Sequence, residues 1–424
     1  MSKIAVWGLG KMGLPLACIL ADAGFEVTGI DIDENRVAAI NAGENPVPEE
    51  PGLSTLLLSA LERKCFKAVT TPVEAGIHIV IIPILRTDTK ADFSILKNVC
   101  TKIAAVLRKG DIVVLESTAP PGTCETFLNP LLETSGLRAG KDFGVAHSPE
   151  RTMTGTAIAD ITSKYPKIIG ASDSKTRQIV KEVYSKINTK GVVLVKDTKT
   201  AEAVKVFEGI YRDVNIALAN ELALYCEEAG IDVTEVIDTA NTQPYCHLHK
   251  PGAGVGGHCI PVYPYFIMSE KTPLVRTARK INESMPFHAV DLAEKLLEKR
   301  NISFEKAKIM LLGISFRGGV KEERYSPFFI VKDELIQRGV AVYAYDPLYT
   351  KEEVESYGIA FSSDFNGIDG IIILTDHEEF TSLDWNHICQ AGVKVVVDGR
   401  NILDGEYIAS LGVEYSGIGR GTHL

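Results

Sequence analysis

Lys3-Ile4-Ala5-Val6-Trp7-Gly8-Leu9-Gly10-Lys11-Met12-Gly13, then Leu14 to Ala23, Glu26 to Ile30 and Asp31, is the stretch whose reading decides the fold. An apolar run of strand length leads into Gly8-x-Gly10-x-x-Gly13. A helical stretch follows, then a second strand that ends on an acid. The glycines allow a tight turn, close approach of a pyrophosphate and close packing of the helix on the strand. The free N–H groups and the dipole at the helix start attract phosphates. The stretch therefore predicts a dinucleotide site built from Gly8, Gly10, Lys11, Met12 and Gly13. Asp31 would accept hydrogen bonds from ribose hydroxyls and repel a 2′-phosphate, which favours NAD over NADP. Arg36 is a candidate ribose contact, with a plain surface arginine as the alternative.

Outward from this unit, apolar runs recur at His78 to Ile82, Asp111 to Leu115, Gly144 to Ala146, Lys167 to Gly170 and Val192 to Val195, with helical stretches between them. That alternation predicts a parallel sheet covered by helices. Strand signals stop after Lys196. From Thr200 to about Ala240 the pattern is helical, with Val204, Phe207, Tyr211, Val214, Leu218 and Leu222 on one side. Such a helix spans domains or packs on a second subunit. More helix is expected from Val275 to Lys299. A second strand-turn-helix-strand unit begins at Lys308 to Gly313 and ends at Asp346, without the three-glycine signature. Further strands are expected at Gly370 to Leu374 and Val393 to Val397. The expectation is an α/β chain with two Rossmann-like doubly wound parallel-sheet domains joined by a central helical domain. Its divisions are 1–197 for NAD, 198–300 for the catalytic loop and dimerisation, and 301–424 for a nucleotide.

The chain has 424 residues, 45% hydrophobic and 24% charged, which is enough for two or three domains with large cores. A net charge of -10 argues against a nucleic-acid partner. No apolar run approaches the roughly 20 residues needed to span a bilayer, and a strand from Lys3 with no secretory leader before it is the expectation. The eight cysteines show no paired spacing, and the nine histidines show no zinc pattern. A cytoplasmic protein with reduced thiols, no membrane contact and no required metal is expected.

Far downstream lies Gly254-Val255-Gly256-Gly257-His258-Cys259-Ile260-Pro261. Glycines around a thiol let a ligand approach the backbone. A nicotinamide cofactor with an accessible cysteine points to oxidation through a covalent thioester. The alternative is a tight turn around a small buried hydrophobe.

Several motifs in this order resemble the UDP-glucose/GDP-mannose dehydrogenase family over essentially the whole chain. They are the glycine turn, Glu50-Pro51-Gly52-Leu53, Ser117-Thr118 with Pro121-Gly122-Thr123, and Ser148-Pro149-Glu150-Arg151. Ala201-Glu202-x-x-Lys205, the Gly256-Gly257-His258-Cys259 loop, Ser315-Phe316-Arg317, Ser326-Pro327 and Asp398-Gly399-Arg400-Asn401 complete the set. The stretch Tyr211 to Glu221 resembles the branch that acts on UDP-N-acetylhexosamines, with the N-acetylmannosamine sugar foremost.

The resemblance implies a four-electron oxidation of the sugar at carbon 6, with NAD as cofactor and a uronate as product for polysaccharide or glycan synthesis. It implies Cys259 as nucleophile and Lys205 as the cation facing the oxygen that gains charge. Thr118 would bind a catalytic water or the nicotinamide amide, and Glu150 would position the hydrolytic water. Arg151, Gly256, Gly257, Phe316, Arg317 and Arg400 would line the UDP-sugar site, with Lys205 and Glu150. Arg324 would lie near the cofactor, and the central helix would build a homodimer or higher homo-oligomer.

Three positions depart from the UDP-glucose branch. Gly209 stands where relatives often carry asparagine, Tyr263 where an aspartate is common, and Thr154 where a second glutamate is common. UDP-glucose and UDP-N-acetylglucosamine stay open as substrates. A two-electron hydroxyacid dehydrogenase and a catalytically silent NAD-binding protein also stay open.

Overall fold

A computed structural model describes residues 3–87 and 90–420. The chain forms two compact units, Met1–Glu208 with Tyr265–Ile267, and Gly209–Pro264 with Met268–Leu424. The helix Thr198–Ala229 starts in the first and continues into the second.

Among the described residues the first unit carries β1 (Ile4–Trp7), β2 (Val27–Ile30), β3 (Phe66–Val69), β4 (Ile77–Val80) and a small hairpin, β5 (Leu85–Thr87) with β6 (Lys90–Asp92). β7 (Ile112–Leu115), β8 (Gly144–His147), β9 (Lys167–Ala171) and β10 (Val192–Leu194) follow. The eight-stranded sheet runs β10-β9-β8-β7-β4-β1-β2-β3. Every residue of β1, β4 and β7 is buried, which is why β1 and β7 read as continuous apolar runs and β4 is interrupted only by His78. β1 lies between β2 and β4, so the strand order reverses there. In open α/β sheets such a switch point opens the crevice that takes a ligand.

Two features of this sheet depart from the expectation. β8 and β9 pair antiparallel, so the sheet is not parallel throughout. β3 adds an edge strand that the apolar runs did not announce. Its four residues alternate buried and exposed around Lys67, too short a pattern to stand out.

The second unit carries β11 (Lys308–Leu312), β12 (Ala341–Tyr345), β13 (Ala360–Phe361), β14 (Gly370–Ile373), β15 (Val395–Asp398) and β16 (Glu414–Gly417). These form a six-stranded sheet in the order β13-β12-β11-β14-β15-β16, parallel at each pairing. β11 is again the switch point. The likeness to the first unit is local as well. Gly8 follows β1 at φ 96° and Gly313 follows β11 at φ 102°. Asp31 and Asp346 stand just after the second strand of each unit.

The helical stretch expected from Thr200 to Ala240 is two helices, Thr198–Ala229 and Val233–Ala240. Gly230 takes a left-handed φ of 68° and stops the first. The Asp232 side chain accepts the Thr234 N–H and starts the second.

Candidate functional site

The glycine turn is built to leave room for something. A Cβ on Gly8 would lie 2.3 Å from the Ile81 carbonyl oxygen, and one on Gly13 would lie 1.9 Å from the Gly8 carbonyl oxygen. Only glycine lets the turn close on β4 and the helix Gly13–Asp22 close on the turn. Gly10 faces open space, with nothing within 4 Å of its position for a Cβ. Two glycines are thus needed by the fold, and the third leaves a surface at a helix start where a pyrophosphate fits.

Asp31 is 7% exposed. Its Oδ2 accepts the Leu9 N–H at 2.8 Å and its Oδ1 accepts the Asp33 N–H at 3.0 Å. Arg36 Nη1 reaches both oxygens, at 3.4 and 3.2 Å. Asp31 therefore ties the turn to β2 before it meets any ribose. A ribose hydroxyl would compete with the two long Arg36 contacts. Ile32, 80% exposed, adds an apolar face beside Asp31 that suits a base or ribose and that motif spacing did not flag. Lys11 pairs with Glu49 at 3.1 Å, and Met12 Sδ accepts the Thr152 hydroxyl.

Other expected residues of the first unit are gathered near the C-terminal ends of β7 and β8. Thr118 follows β7 and is partly exposed. Glu150 follows β8, and its Oε1 accepts the Thr152 N–H. Arg151 is held by Glu208, with Nη2 at 2.8 Å and Nε at 3.2 Å, and its Nη1 donates to the Pro166 carbonyl at 3.2 Å. Glu208 is thereby committed to Arg151. Lys205 is partly exposed on the helix Thr198–Ala229, one turn after Glu202.

Glu202 is fully buried and grips the Pro121-Gly122-Thr123 turn, accepting the N–H groups of Gly122 and of Cys124, the latter at 2.8 Å. Burial pushes the Glu202 carboxyl up, against the pull of the Cys124 and Gly122 N–H groups. Glu50 is likewise structural. Its two oxygens accept the Ala157 and Ile158 N–H groups, each at 2.9 Å.

Cys124, His147 and Glu202 bring ligand-type atoms within 4.8 Å of one another, a set that could hold a metal ion. Their distance apart in the chain hides it from any spacing rule. Burial and the Glu202 charge push the Cys124 thiol far up, so it is held neutral in this fold.

In the second unit, Cys259 is the exposed cysteine among the described residues. Gly256 and Gly257 pack against Phe316. A Cβ on Gly256 would fall 2.4 Å from the Phe316 Cβ, and one on Gly257 would fall 3.1 Å from its ring. Gly257 donates its N–H to the Arg324 carbonyl at 2.8 Å. Cys259 accepts from the Val262 and Tyr263 N–H groups at 3.1 and 3.0 Å, a turn that brings Tyr263 back over it. The Tyr263 hydroxyl donates to Cys259 Sγ at 3.1 Å.

Arg400 Nε donates to the Leu374 carbonyl at 2.9 Å and Nη2 to the Phe316 carbonyl at 2.8 Å. It braces the loop on which Arg317 sits, partly exposed. Asp346 binds the Ile314 and Ser315 N–H groups at 2.7 and 3.1 Å, as Asp31 binds Leu9. Burial alone would raise the Asp346 carboxyl, but His377 and the Leu348 and Ser315 N–H groups hold it below the usual range. Arg324 is exposed and belongs to this second unit, whereas the glycine turn belongs to the first.

Residues 2–188 match the NAD binding domain of the UDP-glucose/GDP-mannose dehydrogenase family, 199–284 its central domain and 310–405 its UDP binding domain. The UDP-N-acetyl-D-mannosamine dehydrogenase of Pyrococcus horikoshii is 38% identical over 430 residues, covering 99% of each chain. An NDP-N-acetyl-D-galactosaminuronic acid dehydrogenase of Ralstonia nicotianae is 33% identical over 422 residues, covering 96% of this chain and 97% of the other. The solved structure of a UDP-D-ManNAc dehydrogenase from Pyrococcus horikoshii superposes with a TM-score of 0.89 at 36% identity, covering 99% of both chains. No helix among the described residues is long and apolar enough to cross a membrane.

Proposed function

The chain belongs to the UDP-glucose/GDP-mannose dehydrogenase family and is an NAD-dependent nucleotide-sugar dehydrogenase, and on that premise we propose that it oxidises carbon 6 of a UDP-N-acetylhexosamine, foremost UDP-N-acetylmannosamine, to the uronate. The observation that carries this reading is Cys259, an exposed thiol on a loop whose Gly256 and Gly257 pack closely against Phe316. The relatives named for N-acetylated sugars support the substrate class.

Gly8, Gly10 and Gly13 would hold NAD at the turn, where it would supply a hydride acceptor for each of the two oxidations. The remaining work falls to the chain. The first oxidation leaves an aldehyde at carbon 6. Cys259 Sγ donates an electron pair to that carbon and forms a thiohemiacetal. The second oxidation leaves a thioester, which water hydrolyses to the carboxylate and the free thiol. A thiolate suits both halves, as a strong nucleophile and a good leaving group. The covalent link also keeps the aldehyde from escaping.

Lys205 supplies a preorganised positive charge for the oxygen that gains charge. Thr118 binds water or the nicotinamide amide. Glu150 has one oxygen on Thr152 and uses the other to position the hydrolytic water. Gly256 and Gly257, packed on Phe316, set the course of the loop at the sugar site. Arg317 takes the diphosphate, since a guanidinium fork matches its oxygens. Arg400 keeps the loop of Arg317 in shape through its two carbonyl contacts, and Arg151, paired with Glu208, binds the substrate. Arg324 contributes at the cofactor. The divisions 1–197, 198–300 and 301–424 are the working parts, and the enzyme acts as a homo-oligomer.

Purified protein is to be assayed with UDP-ManNAc, UDP-GlcNAc, UDP-GalNAc and UDP-glucose while NADH is followed. The expected result is about two NADH per sugar, fastest with UDP-ManNAc, the count set by two hydride transfers. One NADH per sugar, or full steady-state turnover by Cys259→Ser, would overturn the thioester route. Turnover confined to UDP-glucose would overturn the substrate class.

A further inference from the structure

The two departures at Gly209 and Tyr263 are in contact. Gly209 lies on the helix Thr198–Ala229, and a Cβ placed there would fall 2.4 Å from Cδ2 of Tyr263 and 3.3 Å from its Cε2 and Cγ. The Tyr263 ring therefore rests on bare helix backbone, in space that any larger residue at 209 would take. Tyr263 is 7% exposed, so this packing fixes its ring. The Val262 and Tyr263 N–H groups both donate to the Cys259 carbonyl and close one turn, which aims the phenol at Sγ, 3.1 Å away.

A thiol sulfur is a weak acceptor, whereas a thiolate is a strong one. A buried hydroxyl aimed at sulfur thus favours the anionic nucleophile. We propose that Tyr263 is a catalytic residue, seated by Gly209, whose O–H stabilises negative charge on Cys259 Sγ and then on the sugar oxygen. The proposal rests on the reading of Cys259 as nucleophile.

The electrons balance without moving the phenol proton. A sulfur lone pair forms the S–C6 bond, and the carbonyl π pair becomes a lone pair on O6. The negative charge moves from sulfur to the neighbouring oxygen, and the same O–H follows it. When the C6 hydride leaves with its bonding pair to oxidised NAD, the O6 pair re-forms the carbonyl and the thioester results.

The test uses the full chain. Tyr263→Phe keeps the ring on Gly209 and removes only the hydroxyl. Alkylation of Cys259 by iodoacetamide is measured by mass spectrometry at pH 7 without cofactor, and kcat and KM are measured with both substrates. Tyr263→Phe is expected to slow alkylation roughly tenfold and to lower kcat by roughly tenfold or more, the scale of a hydrogen bond to a charged group. KM for the sugar nucleotide and Tm should hold. Gly209→Ala supplies a second variant that displaces the ring while keeping the phenol. It should reproduce the alkylation defect, and it should lower Tm when Tyr263 is present but not in a Tyr263→Ala background.

Alkylation and kcat at the parent level in Tyr263→Phe overturn the proposal. An equal Tm loss in both Gly209→Ala backgrounds also overturns the seating. Cys259→Ser separates the two readings. If it is inactive while Tyr263→Phe is normal, only the tyrosine role falls. If it turns over fully, the nucleophile itself falls.

Discussion

Asn220 Oδ1 accepts the backbone N–H of Gly252 at 2.9 Å and so ties the long helix to the start of the glycine-cysteine loop. The bond ends a buried chain of polar groups. Arg279 Nη1 donates to Asp213 Oδ1 at 2.5 Å, Asn282 Nδ2 donates to the same oxygen at 2.8 Å, and Asn220 Nδ2 donates to Asn282 Oδ1 at 2.9 Å. All four side chains are at most 3% exposed. Asp213 and Asn220 lie in the stretch that resembled the N-acetylhexosamine branch. Their visible task is to fasten the loop that carries Cys259.

Asn220→Ala removes that fastening and leaves the Gly252 N–H and the Asn282 carbonyl oxygen without these partners. A buried unsatisfied polar group costs about 1–3 kcal/mol. A lower urea midpoint with kcat reduced more than KM is expected. Kinetics identical to the parent's would show that the bond does not position the loop.

The glycines of the turn should separate binding from folding. Gly13→Ala places a Cβ against the Gly8 carbonyl, so both Tm and NAD affinity should drop. Gly10→Ala meets nothing within 4 Å in the protein, so Tm should hold. Its methyl instead meets the pyrophosphate, and NAD affinity should weaken by roughly tenfold, about 1.4 kcal/mol. Calorimetric titration against thermal melts distinguishes the two variants.

Acid should weaken the first unit through two buried histidines. Burial lowers His78 to about 4, against a smaller opposing effect of the Ala75 carbonyl. Burial and the Lys167 charge lower His147 to about 3. Both are neutral in the fold at pH 5, whereas the unfolded chain binds protons below about 6.5. Stability is therefore present above that pH and lost as pH falls from about 6.5 toward 4, by up to about 1.4 kcal/mol per pH unit for each histidine. Urea midpoints at pH 7 and 5 measure the slope. His78→Gln with His147→Gln should flatten it even if it lowers the midpoint at pH 7.

Phe207, Tyr211, Leu218 and Tyr225 share one face of the helix Thr198–Ala229 and are 56%, 55%, 44% and 63% exposed. Their spacing of four and seven residues is that of a packing stripe. A dimer is expected in light scattering at micromolar protein, and Leu218→Lys with Tyr225→Lys should yield a monomer. A monomeric parent chain would refute the stripe as an interface.

The parts legible in the sequence are those whose signal is local. The Gly8 to Asp31 unit, its echo from Lys308 to Asp346 and the cysteine loop each compress their chemistry into neighbouring residues. The strand-length runs at β1 and β7 were legible because full burial demands continuous apolar residues. The break at Gly230 was hidden inside an apolar periodicity that continues on both sides of it. β3 and β16 are as long as β1 but only partly buried, so neither carries a continuous apolar run. The pairing of Glu208 with Arg151, far apart in the chain, was likewise hidden.

The α/β fold class, the place of the glycine turn and the glycine-rich setting of Cys259 were legible from the residues alone, because backbone sterics and hydrophobic periodicity act over a few residues. Tertiary structure decided the antiparallel pairing of β8 with β9, since strand direction depends on where the chain returns. It also decided that Glu50 and Glu202 clamp turns, because their donors lie far along the chain. Gly209 and Tyr263 are the plainest case. Read singly, each was a missing functional group. Packed together, an absent side chain makes room for a ring whose hydroxyl meets Cys259, and a contact between remote residues exists only once the chain has folded.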